Sequence, residues 1–208
     1  DVKQAMIDWW GPILVEYYSS TEACGFTAIS SSEWLTKRGS VGRSMLGPVH
    51  ICADDGAELP TGEAGLVYFE RDFRPFEYHN DPAKTKEAEH PAHSNWTTVG
   101  DIGYVDADGY LFLTDRKSFM IISGGVNIYP QEVEDALTLH PAVFDVAVIG
   151  VPDPAMGQQV KAVVQLRDGV EPSADLADQL IAHARTKVAA FKAPKSVDFV
   201  DSLPRTPT

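Results

Sequence analysis

Residues 95–134, NWTTVGDIGYVDADGYLFLTDRKSFMIISGGVNIYPQEVE, decide the fold. Tyr104-Val105 and Tyr110-Leu111-Phe112-Leu113 have strand composition, and Asp106-Ala107-Asp108-Gly109 between them reads as a hairpin turn. The two acids of that turn imitate the opening of a calcium loop, but the remaining ligands and the closing Glu are absent at the required interval. The hairpin hands the chain to a charged pivot, Asp115-Arg116-Lys117-Ser118. An apolar run closed by Gly124-Gly125 follows. Pro130 then opens a helix, with Glu132 and Glu134 near its positive end.

Past the pivot, a compact α/β unit is expected. Strands are predicted at 143–151 and 160–166, joined through Pro152-Asp153-Pro154. Ser173 caps a helix over 173–188, with Leu176, Leu180, Ile181 and Ala184 on one face, and 197–200 is a final strand. Before the pivot, residues 25–114 read as short strands cut by turns. Segments 49–53 and 66–69 are strands flanking the Asp54-Asp55-Gly56 turn, and an antiparallel sheet or small distorted barrel is the expected outcome. Asp81 caps a helix that has Pro82 at its first position. At the front, Val2–Trp10 is a helix stopped by Gly11-Pro12; 13–18 reads as a buried strand, and Ser19-Ser20-Thr21-Glu22 as the loop at its end. The expected class is α/β and α+β, with one domain over 1–114 and a small α/β domain over 115–208.

The 208 residues, 44% apolar and 23% charged, are enough for a real core and fit an ordinary globular chain. No apolar run is long enough for a membrane span, and the first residues lack the basic flank and apolar stretch of a signal peptide. The absence of an initiator Met suggests a chain that begins inside a longer parent. A net charge of -13 disfavours nucleic acid and anionic membrane surfaces as partners. A nucleotide remains compatible, because backbone N–H groups and a metal hold small phosphates locally. Cys24 and Cys52 make no disulfide framework and read as reduced thiols of a cytoplasmic protein. His90 and His93 flank Pro91 without a third ligand nearby, so a solvated loop is expected; His140-Pro141 reads as a helix end.

Three segments together resemble the adenylate-forming enzymes, the superfamily of acyl-CoA synthetases, luciferases and peptide-synthetase adenylation domains. These are Tyr18-Ser19-Ser20-Thr21-Glu22, set against aromatic-Gly-x-Thr-Glu; Trp96-Thr97-Thr98-Val99-Gly100-Asp101, with Val99 in place of the usual Thr; and Arg116 at the family interval. Residues 39–69 are similar to the β-barrel subdomain of these enzymes. The resemblance implies that Tyr18 lies against adenine, Thr21 bonds the α-phosphate, Glu22 binds Mg2+, and Asp101 accepts from the ribose hydroxyls with Arg116 beside it. It also implies a hinge at Ser118, where Asp or Lys is common, and a loop around Gly124 and Gly125 that reaches the site for thioester formation. Each role suits its residue: an aromatic face stacks, a hydroxyl donates to phosphate, a carboxylate is a hard ligand, and glycine lets backbone approach a thin pantetheine arm.

ATP, Mg2+ and CoA are the implied cofactors, and a fatty or aryl carboxylic acid the implied substrate. Gly25 and Phe26 would then lie close to the acyl group. The resemblance further implies a Gly-Lys after Thr208 and a phosphate loop upstream of Asp1, so a catalytically incomplete fragment is expected. Two other readings stay open: an adenylation domain that loads a carrier protein, and a non-catalytic interaction module of the same fold.

Overall fold

The structure, a computed structural model, describes residues 2–204. These residues form two compact units that meet in the chain at Lys117 and Ser118. Among them no helix is long and apolar enough to cross a membrane.

The first unit opens with α1 (Val2–Trp10) and β1 (Val15–Ser19), followed by β2 (Phe26–Ser30), α2 (Ser31–Trp34) and β3 (Ser40–Ser44). Then come β4 (Val49–Cys52), β5 (Gly65–Glu70), α3 (Pro82–Glu87), β6 (Trp96–Thr97), β7 (Asp101–Val105) and β8 (Leu111–Arg116). The eight strands form one antiparallel sheet in the order β1-β2-β3-β8-β7-β5-β4, with β6 paired to β5. The 106–109 hairpin is present as expected, and Tyr104 stacks on its cross-strand partner Phe112 at 4.9 Å between ring centroids. Asp81 caps α3 through a bond from Lys84 N to its Oδ1 at 2.9 Å.

Three expectations change here. The strand near residue 15 is not buried: Val15 is 70% and Tyr17 68% exposed, because β1 ends the strand order and only its Glu16 and Tyr18 face turns inward. Gly42, read as turn punctuation, lies inside β3 at a register shift, with φ +97°; a Cβ there would sit 2.0 Å from the Ala28 carbonyl oxygen. Glycine thus permits a bulge where two strands come close. His90 is buried rather than solvated, with Nε2 bonded to the Gly56 carbonyl at 2.8 Å and Nδ1 accepting from Ala92 N.

The second unit contains β9 (Ile121–Ser123), β10 (Val126–Ile128), α4 (Pro130–Thr138), β11 (Val143–Asp153), β12 (Gly157–Leu166), α5 (Ala174–Arg185) and β13 (Ser196–Val200). Its sheet runs β10-β9-β12-β11, and β13 joins β12 in parallel. Helix α4 packs on β11 and on α5, and α5 packs on β13. The core between them holds Ile121, Ile128, Val133, Leu137, Val164 and Leu180, none more than 1% exposed. Pro152 and Asp153 belong to β11 instead of a connection, since they pair with Gln158 and Gly157. The turn is tightened by Asp153 Oδ1, which accepts from Ala155 N at 2.9 Å and Met156 N at 2.8 Å. Residues 205–208, where the expected Gly-Lys approach lies, fall outside the described residues.

Candidate functional site

Antiparallel register builds the first part of the site. Asp101 opens β7 and Arg116 closes β8, and the two are direct cross-strand partners. Their separation in the chain is therefore the length of a hairpin and its turn. Arg116 Nε donates to Asp101 Oδ1 at 3.0 Å; the guanidinium is exposed and the carboxylate buried. The other carboxylate oxygen, Oδ2, accepts from the Tyr18 hydroxyl. Burial first, and the bond to Asp101 second, push the Tyr18 phenol far above its ordinary range, so it stays a donor at any ordinary pH. Two donors from different strands thus hold a buried acid in one orientation. Each carboxylate oxygen keeps a lone pair for a second donor.

The loop after β1 forms the second part. A turn from Ala23 N to the Ser20 carbonyl places Ala23 at φ 54°, an unusual conformation for a residue with a Cβ. Arg71 steadies that turn by donating to the Ala23 carbonyl. Ser19, where the motif has Gly, donates to the Gly25 carbonyl at 2.8 Å, and Val99, like Tyr18, is partly buried against the cluster of Cys24, Ile51, Val67, Phe69 and Leu111. Thr21 Oγ1 donates to Glu22 Oε2 at 3.0 Å, and the Tyr78 hydroxyl donates to Glu22 Oε1 at 2.9 Å. Burial pushes the Glu22 carboxyl up, but hydrogen bonds from its own backbone N–H, Tyr78 and Thr21 outweigh it and hold the group below the usual carboxylate range. The Tyr78 phenol rises to about 12, through burial and then Glu22. Burial pushes the Cys24 thiol up, and the Glu22 and Asp101 charges add to this.

Of the residues singled out from sequence, Tyr18, Asp101 and Arg116 are in direct contact, and Thr21 and Glu22 lie on the loop that leaves the same strand. Tyr78 was missed. It lies in the irregular segment between β5 and α3, where neither periodicity nor a motif marks it. An open groove of about 360 Å³ runs past it, lined by Arg74, Asn80, Thr85 and Glu89 among others, and includes none of Tyr18, Asp101 and Arg116.

Ser118, Gly124 and Gly125 belong to the second unit. Ser118 sits in a 3-10 turn, Lys117–Phe119. Gly124 and Gly125 are the two central residues of the β9–β10 hairpin, with φ of 58° and 78°. Positive φ at both is what a tight hairpin of this type demands. A Cβ on Gly124 would lie 2.4 Å from Met156 Cε, whereas one on Gly125 would meet nothing within 4 Å.

The residues can be tested against the groups they would hold. Among the described residues no three His, Cys, Asp or Glu side chains are grouped to hold a metal by themselves. A lone fixed carboxylate such as Glu22 fits Mg2+ brought in by a nucleotide, because that ion binds through one or two carboxylates with phosphates and waters completing its shell. A buried, oriented acid flanked by an aromatic ring and an exposed guanidinium fits a nucleoside.

Comparison with known proteins gives three kinds of match. Residues 132–208 match the family described as AMP-binding enzyme C-terminal domain. A long-chain-fatty-acid–CoA ligase, FadD13, of Mycobacterium tuberculosis is 40% identical over 197 residues, which is 94% of this chain and 38% of that protein. A feruloyl-CoA synthase of an Amycolatopsis species is 40% identical over 198 residues, 94% of this chain and 39% of its own. The structure of o-succinylbenzoate CoA synthetase from Bacillus subtilis, in complex with its acyl-adenylate intermediate, superposes with a TM-score of 0.83 at 29% identity, covering 98% of this chain and 40% of that one. The chain therefore spans about two fifths of the length of the relatives it matches.

Proposed function

We propose, from the premise that this chain belongs to the adenylate-forming enzymes, that it serves an ATP-dependent, AMP-forming ligation of a carboxylic acid to CoA. In the first half-reaction the acid attacks the α-phosphate of ATP, giving acyl-AMP and pyrophosphate. In the second the CoA thiol displaces AMP, giving acyl-CoA. The acid is a fatty or aryl one, in keeping with the names of the relatives.

The observation that carries this reading is the double grip of Tyr18 and Arg116 on Asp101. A buried carboxylate locked on two sides has lost the freedom to turn away from a ligand, and ribose presents two adjacent hydroxyls suited to such an acceptor. Under this reading Tyr18 also offers its ring to adenine, Thr21 bonds the α-phosphate, and Glu22 takes Mg2+ that arrives with ATP. The Mg2+ would neutralise phosphate charge there. Under the same reading, residues 39–69 belong to a small distorted barrel at the end of a large domain over 1–114. The second unit, which begins at Ser118 rather than at 115, turns about that residue, and its Gly124-Gly125 tip admits the pantetheine arm. A cytoplasmic location accords with two buried, unpaired thiols.

Calorimetric titration of AMP into the chain, with Asp101→Asn as the comparison, tests the nucleotide site. The substitution keeps the shape and removes the charge, and the Kd for AMP is expected to rise about tenfold or more, as loss of a charge-assisted acceptor predicts. Equal affinity in the two proteins sinks the assignment. CoA-dependent formation of a thioester from the acyl-adenylate separates this reading from one in which the adenylate is the final product.

A further inference from the structure

Glu22 is held in an asymmetric way. Its Oε2 is bonded by Thr21 from the adjacent residue, and its Oε1 by Tyr78 from 56 residues away in the chain. Under the reading above, Thr21 turns its hydroxyl to a phosphate when nucleotide binds, which releases Oε2. The Tyr78 hydroxyl has Glu22 as its hydrogen-bond partner. Its segment is tied down by Tyr78 N donating to Thr85 Oγ1 at 2.8 Å, by a T-shaped contact with Phe76 at 5.3 Å between ring centroids, and by Lys84 Nζ, 4.1 Å from the Tyr78 ring centroid.

We propose that Tyr78 is a positioning residue for Glu22: its phenol occupies Oε1, so that a divalent cation meets Glu22 through Oε2 alone, which favours magnesium over calcium. The proposal rests on the assignment of Glu22 as the cation ligand. The chemical reason lies in ligand count. Magnesium demands a near-octahedral shell and accepts a carboxylate through one oxygen, whereas calcium tolerates more ligands and readily takes both oxygens of one carboxylate. A donor fixed on Oε1 takes one of its lone pairs and sets the plane of the carboxylate, so chelation through both oxygens must distort that bond whereas coordination through Oε2 leaves it intact. The same donor holds Oε2 in place, so that magnesium need not reorganise the side chain.

The test is calorimetric binding of ATP to the full chain in titrations of MgCl2 and of CaCl2, for the wild type and Tyr78→Phe. A second readout is the Tyr78 Cζ resonance of 13C-tyrosine-labelled protein, assigned by its loss in Tyr78→Phe. In Tyr78→Phe the magnesium requirement is expected to rise about tenfold, as for other lost outer-shell partners, and the calcium requirement less than about twofold. The wild-type resonance is expected to shift on addition of magnesium with ATP and to stay in place in Glu22→Gln. Thr85→Val, which loosens the same segment without touching the phenol, is expected to leave the magnesium-to-calcium ratio as in the wild type. A ratio unchanged in Tyr78→Phe, or shifted equally by Thr85→Val, overturns the proposal. If Glu22→Gln leaves the magnesium requirement intact, Glu22 is not the ligand, and the underlying assignment falls with it. If Glu22→Gln abolishes that requirement while Tyr78→Phe changes no ratio, the role of Tyr78 alone is refuted.

Discussion

Glu33 illustrates how a single side chain on this surface is set by its neighbours. It closes a capping box on α2: Ser30 N and Ser30 Oγ both donate to its Oε2, while Ser30 Oγ accepts from Glu33 N. Tyr110 donates to its Oε1 at 3.0 Å. Those bonds, the one from the Ser30 backbone foremost, draw its carboxyl from 4.5 down to about 2. Folding therefore favours the ionised form. The resulting stability is fully present above pH 4.5 and is lost as the pH falls toward about 2. Acid unfolding of the wild type is expected to steepen across that window relative to Glu33→Gln, which keeps an acceptor but cannot titrate. A carboxyl NMR titration of Glu33 with its midpoint near 4.5 would refute this.

At the scale of elements, the contact between the β1–β2 connection and β5 sets how β1 sits against the core. Gly25 is buried there with no room for a side chain: a Cβ would lie 2.0 Å from Phe69 Cδ1. Phe69 in turn packs against Tyr18, with ring centroids 6.2 Å apart. Gly25→Ala forces Phe69 to move, and overpacking of this kind costs about 1–3 kcal/mol. A drop in denaturant midpoint at unchanged slope is the expected result. Because Phe69 supports Tyr18, AMP binding is expected to weaken together with stability. A fully stable Gly25→Ala protein would mean that Phe69 has a second rotamer available.

Across the described residues, three sets of buried side chains carry the stability, and they share no residue. One, around Leu137 and Leu180, belongs to the second unit; the others, around Val67, Phe69 and Leu111 and around Ile29 and Trp34, belong to the first. Leu137 is fully buried between α4 and its neighbours, and Leu137→Ala is expected to cost about 2–5 kcal/mol by leaving a cavity. Hydrogen exchange should report that loss in the amides of β11, β12, α4 and α5, with the protection of β5, β7 and β8 unchanged. Equal loss in both units would show them to unfold as one.

Several features were legible from the residues alone because they depend on neighbours in the chain. The 106–109 turn, the caps at Asp81 and Ser173, the proline start of α4 and the paired glycines at 124 and 125 need only local geometry. The association of Asp101 with Arg116 was implied by the family resemblance, and the hairpin makes it a cross-strand contact through a register shift between Ile102 and Gly103. What only tertiary structure decided depends on residues far apart in the chain. Nothing near Tyr18 foretells a bond to an acid 83 residues on, nor anything near Tyr78 its hold on Glu22. The exposure of β1 and the bulge at Gly42 likewise follow from which strands lie alongside, and strand pairing is chosen by burial across the sheet, to which local propensity is blind.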